Sequence, residues 1–153
     1  IVQCANFNSP GQIVISGSIS GVRKAIELCK SNGAKLAKEL VVSGAFHSPL
    51  MQSAKDSLLD VLVLTSFYDA RFPVYANVTA KPVTKKDEIK NLLHQQVTSP
   101  VRWEETIKNM IADGFDEFYE IGPGKVLQGL VKRINPDVLI FGIDKYEDVE
   151  KYL

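Results

Sequence analysis

Only two histidines occur in these 153 residues, and one of them, His47, lies in the stretch Val42-Ser43-Gly44-Ala45-Phe46-His47-Ser48-Pro49-Leu50-Met51. Imidazole is the side chain whose ordinary charge change falls nearest neutrality, so the first chemistry to consider is proton transfer with His47 as a general base. Its neighbours suggest how it would be held. Leu40-Val41-Val42 reads as the end of a buried strand, Gly44 permits a sharp bend, and Ser48-Pro49 has the composition of an N-cap followed by proline at the first helical position. His47 would then stand just before a helix N-terminus, whose positive end favours the neutral ring that a base needs at pH 7. A hydrogen-bonded structural histidine fits the same pattern, and the residues alone leave both roles open.

A base requires a group to deprotonate. In α/β acyl-transfer enzymes that group is a serine on a strained G-x-S-x-G turn, and no serine of this chain has that setting. Either His47 is structural, or its serine lies outside these residues. Gly124-Lys125 suggests a phosphate loop, but a Walker A motif needs a glycine five residues before Gly124 and Ser or Thr after the lysine; this chain has Tyr119 and Val126 there. Gly122 and Gly124 are instead expected to make a tight turn with close backbone approach. Cys4 and Cys29 form no C-x-x-C pair and have only His47 and His94 as further soft ligands, so no metal site is expected. Free thiols suit a cytoplasmic protein, in which the sequon Asn77-Val78-Thr79 would go unused; no stretch resembles a signal peptide. Eighteen basic residues balance eighteen acidic ones, so no overall field points to nucleic acid or an anionic membrane. The longest apolar runs, such as Val138-Leu139-Ile140-Phe141, fall far short of the ~20 residues needed to cross a bilayer.

The elements that must position these residues follow from periodicity. With 45% hydrophobic residues, the chain can form one ordinary domain or a piece of a larger one. Residues 1–6 and 12–17 read as a hairpin joined by Phe7-Asn8-Ser9-Pro10-Gly11; Ile1 is already strand-like, as if the chain began in the middle of a fold. Val22, Ala25, Ile26 and Cys29 predict a helix capped by Ser20 and stopped at Asn32-Gly33, and residues 35–42 return as a strand. This β-β-α-β order is what a β-α-β-β-α-β ferredoxin-like unit leaves when its first strand and helix are removed. From Pro49 a helix runs to about Leu64, with Leu50, Ala54, Leu58 and Leu62 as its core stripe. Residues 72–76 form a short strand, Lys81-Pro82-Val83 leads into a polar helix capped by Thr84, and Ser99-Pro100 starts another with Trp103, Ile107, Met110 and Ile111 buried. A strand over 117–121, a helix over 126–134 and a strand over 138–143 then imply a parallel α/β sheet, with ligands beyond the carboxyl ends of its strands.

Three motifs carry a resemblance. Residues 44–51 together with Gln96-Val97-Thr98-Ser99-Pro100-Val101-Arg102-Trp103 and Glu120-Ile121-Gly122-Pro123-Gly124-Lys125-Val126-Leu127 resemble the malonyl-CoA:acyl carrier protein transacylase family, in the right order and over essentially the whole chain. The resemblance is to the C-terminal half only; the family's Gly-His-Ser-Leu-Gly nucleophile motif, oxyanion-hole glutamine and carboxylate-binding arginine are absent. It implies an α/β fold in which residues 1–42 are the remainder of a ferredoxin-like small subdomain and residues 43–153 the C-terminal part of an α/β-hydrolase-like, parallel-sheet acyltransferase core. His47 matches the catalytic histidine, and Gln96 a position whose backbone carbonyl accepts a hydrogen bond from that imidazole. Phe46 resembles the variant that selects malonyl over methylmalonyl units, with core packing as its alternative. Asn6 matches a cleft asparagine that could bind the acyl thioester or pantetheine; Asn8 does so less clearly, being equally a turn residue. Lys35 and Lys38 could steer an acidic carrier protein. The implied activity is malonyl transfer from malonyl-CoA to the carrier's phosphopantetheine thiol through an acyl-serine, in fatty-acid biosynthesis. Its partners would be coenzyme A, acyl carrier protein and the missing N-terminal half of the same enzyme, with no metal or redox cofactor. A polyketide-synthase acyltransferase piece and a noncatalytic carrier-binding fragment are the alternatives.

Overall fold

A computed structural model describes residues 1–150. Val2–Ser9 (β1) and Gln12–Gly17 (β2) form the expected antiparallel hairpin. Its turn is tighter than the composition suggested: Phe7, Asn8 and Ser9 continue the strand, and Gly11 turns the chain at φ 74°. β1 is bracketed on its other side, because Val101 N donates to Ala5 O at 2.8 Å and Phe7 N donates to Val101 O at 2.9 Å. Helix α1 (Ile19–Ser31) is capped by Ser18 rather than Ser20; the Ser18 hydroxyl accepts from Gly21 N, and Ser20 already lies inside the first turn.

Residues 35–42 depart from expectation. They form no strand, so the expected β-β-α-β unit is observed as β-β-α followed by an extended arm. No backbone hydrogen bond joins 35–42 to another described segment, and a strand without a ladder partner is not a stable element. Val41 and Val42 are accordingly exposed, not buried.

Pro49–Met51 makes one 3-10 turn that continues into α2 (Gln52–Leu64). Of the stripe expected in the core only Leu62 is buried; α2 packs on α3 (Lys86–Gln96), and Leu50 and Ala54 are exposed. Val74–Ala76 (β3) and Lys81–Val83 (β4) pair antiparallel. Thr84 does not cap α3. Asp69, from the preceding loop, accepts from Lys86 N at 3.0 Å and from Lys85 Nζ at 2.8 Å; the Lys85 bond, then the Lys86 N–H, hold its carboxyl below the ordinary range.

Helix α4 (Trp103–Ala112) begins three residues after Pro100, since Val101 is committed to pairing with β1. Glu117–Ile121 (β5), α5 (Val126–Ile134) and Leu139–Ile143 (β6) form the expected parallel crossover unit, in register from Glu117 opposite Leu139 to Ile121 opposite Ile143. The core lies here: Ile107, Val131 and Val138 are buried, with Trp103, Met110, Ile111, Phe118, Ile134 and Ile140 packed around them. A short α6 (Tyr146–Val149) follows. Among the described residues no helix is long and apolar enough to cross a membrane.

Candidate active site

The Ser48 hydroxyl builds the His47 turn. It donates to Ala45 O at 2.7 Å, accepts from Leu50 N at 3.3 Å, and is fully buried. The unusual backbone falls on His47 itself, at φ 58°, while Gly44 does not have a positive φ. Histidine tolerates the left-handed region better than most residues, at a cost of about 1–2 kcal/mol. The local Ser48 bonds and a longer-range contact offset that cost. Gln3 Nε2 donates to His47 O at 2.6 Å and to Thr98 O at 3.3 Å.

The ring is placed by the far end of α3. His47 Nδ1 lies 3.1 Å from Gln96 O, a last-turn carbonyl that also accepts from Ser99 N at 3.3 Å. Gln96 Nε2 also approaches Nδ1, at 3.2 Å, and lies 3.3 Å from Ser99 O. The two contacts demand opposite tautomers. With the proton on Nδ1, the ring donates to Gln96 O while the amide donates to Ser99 O; with the proton on Nε2, the two amide hydrogens serve Nδ1 and Ser99 O, and Gln96 O keeps the Ser99 N–H at 3.3 Å. Only the Nδ1–H form leaves Nε2 as the basic nitrogen. The expectation based on the α2 N-terminus alone is incomplete, because the ring also meets the carbonyl end of α3.

Segment 96–101 gathers the other candidates. Gln96 holds the ring, Thr98 meets Gln3 and Lys55 Nζ (3.3 Å), and Val101 pairs beside Asn6. Asn6 is half-buried on β1, as is Asn8. Phe46 is 48% exposed, its ring lying over Gly44; it is no core residue here. Lys35 and Lys38 are exposed on the extended arm rather than on a strand. Gln3 and Lys55 had no signal in the sequence, since their partners lie far along the chain.

The Gly122-Pro123-Gly124 turn is distinct. Gly122 and Gly124 have φ 134° and 95°, yet a side chain at either would meet nothing within 4 Å. Backbone conformation, not close approach, requires glycine there. Glu120 spans the turn, accepting from Leu127 N (3.0 Å), Gln128 N (3.2 Å) and Gln128 Nε2 (3.0 Å). Burial pushes this carboxyl up, but the three donors outweigh it and leave it below the usual range. The α5 N-terminus is thus already occupied by a carboxylate, which agrees with the failed Walker pattern. An open depression of about 500 Å³ beside Phe7 and Arg102 offers no free cation, because Arg102 pairs with Glu105 and Lys108 with Glu104.

Residues 1–138 match the family described as the acyl transferase domain. The chain belongs to this acyl transferase family. Among curated relatives it is 51% identical, over 150 residues, to a malonyl CoA-acyl carrier protein transacylase of Bacillus subtilis, covering 98% of this chain and 47% of the relative. It superimposes on an acyl-carrier-protein-S-malonyltransferase from Bartonella henselae with TM-score 0.96 and 42% identity, over 100% of this chain and 49% of that one. A type II PKS acyl-carrier protein in complex with its malonyl-transacylase gives TM-score 0.95 and 40% identity, over 100% and 50%. The chain spans about half the length of the curated relatives it matches. The acyl transferase match contains the hairpin, the His47 turn, segment 96–101 and the β5–α5 turn.

Proposed function

We propose that the protein carrying this chain transfers a malonyl group from malonyl-CoA to the phosphopantetheine thiol of acyl carrier protein, in fatty-acid biosynthesis. The reading rests on one observation above the rest: Nδ1 of His47 is engaged by the Gln96 carbonyl at 3.1 Å, which leaves Nε2 for proton transfer. The nucleophile is a serine outside these 153 residues. Its oxygen bonds to the thioester carbonyl while its proton passes to His47 Nε2; the carbon–sulfur bond breaks, and coenzyme A leaves with that proton. The carrier thiol then gives its proton to Nε2, its sulfur takes the malonyl carbon, and the serine oxygen is reprotonated. These steps use no metal and no redox cofactor. Phe46 forms a wall against an α-methyl branch, Asn6 contributes an amide to the thioester or pantetheine arm, and Lys35 and Lys38 attract the acidic carrier. Residues 1–42 belong to a smaller subdomain and 43–153 to the larger one, completed by the N-terminal half of the enzyme. The names of the relatives support the acyl group and the acceptor.

A second reading keeps the chemistry and changes the carrier. Similarity to a transacylase solved with a type II PKS carrier favours polyketide assembly as the alternative setting. Intact-mass spectrometry of the protein, expressed from its complete reading frame and mixed briefly with malonyl-CoA, tests the first step. A malonyl increment that disappears on adding holo carrier protein is expected. An unmodified mass, with carrier still bound, would instead assign a noncatalytic carrier-binding role.

A further inference from the structure

Gln3 lies in β1, opposite Ser16 and remote in sequence from His47, Gln96 and Thr98. Its side-chain amide nevertheless donates to two carbonyls, those of His47 (2.6 Å) and Thr98 (3.3 Å). These belong to the two segments whose relative placement determines what the imidazole faces: the left-handed turn that presents the ring, and the turn that follows the Gln96 carbonyl at the end of α3. An –NH2 group has two hydrogens, one for each carbonyl. Reaching both requires the turns to stay in register, and the contact falls on the one residue of the 43–48 loop with strained backbone. We infer that Gln3 is a positioning residue, tying the His47 carbonyl to the 96–99 turn so that Nδ1 meets Gln96 O and Nε2 stays free. Its consequence for turnover rests on the function proposed above; its consequence for the ring does not.

The test uses Gln3→Met, which deletes the donors, and Gln3→Glu, which keeps the shape but offers oxygen where nitrogen donated. Both are made in the protein expressed from its complete reading frame, with thermal melting to confirm folding. Imidazole 15N spectra of the native protein should show one protonated and one unprotonated nitrogen in His47. In the variants the two signals should converge as the tautomers interchange, and kcat should fall about ten- to a hundred-fold with KM little changed, as expected for misplacement of a reacting group. Folded variants with a fixed tautomer and native kcat would overturn the inference. If neither variant folds, exchange of the Gln3 side-chain amide protons in the native protein decides: slow exchange supports the bridge, whereas the rate of a free glutamine amide overturns it. A Gln3-dependent tautomer in a protein without malonyl transfer would sink the proposed function and leave the positioning role standing.

Discussion

His47 Nδ1 meets a carbonyl at 3.1 Å and an amide nitrogen at 3.2 Å, both from Gln96, and only the carbonyl is compatible with a base at Nε2. Removing the Gln96 side chain deletes the competing donor and leaves the main-chain acceptor in place. Gln96→Ala should therefore retain most of its malonyl-transfer rate, whereas His47→Ala should lose about 10²–10⁴ in kcat, the usual contribution of a positioned base; equal losses in two folded variants, measured by steady-state kinetics, would reject the backbone assignment. Phe46 makes a different case. Because its ring is half exposed and lies over Gly44, Phe46→Ser opens the wall with little loss of core. Competition between malonyl-CoA and methylmalonyl-CoA should shift toward the methyl-branched substrate while the melting temperature stays near native; an unchanged ratio would reject the steric account.

Two helices here take their N-terminal partners from outside their own first turn. Asp69 serves α3 from a loop 17 residues upstream, and Glu120 serves α5 across the Gly-Pro-Gly turn. Sequence rules look for caps beside the helix, so Thr84 was the natural candidate for α3; it lost to the longer-range bond from Asp69. Glu120 carries a pH signature. Its carboxyl is held below the ordinary value of 4.5, so its contribution is fully present above that value and is lost as pH falls through the lower, folded-state one. Glu120→Gln should cost about 0.5–2 kcal/mol at neutral pH, the range of a lost helix cap, and should flatten the acid limb of stability. Urea midpoints followed from neutral pH down the acid limb would show this; an acid limb of native slope would rule it out.

At the scale of the molecule, apolar surface is left over. Val41, Leu64, Ile121 and Val126 are largely exposed, and β5 and β6 form a two-stranded parallel sheet whose outer edges pair with no described strand. Exposed apolar patches and open edges favour association. The 153-residue chain prepared alone should self-associate at micromolar concentration, and Leu64→Lys with Ile121→Lys should reduce this; a monodisperse monomer by light scattering would contradict it. Much of the architecture was legible because it depends on local terms: periodicity marked α1, α2, α4, α5, β5 and β6, and turn chemistry marked the hairpin and the 122–124 turn. The motif around His47 was legible as a helix entry for the same reason. Residues 35–42 were misread because apolar composition says only that a segment could pair, whereas a strand exists only beside a partner. Tertiary structure alone decided that the His47 ring meets the end of α3 and that Gln3 bridges the two turns. Those outcomes depend on hydrogen bonds between residues 44 to 95 positions apart, whose formation no local pattern encodes.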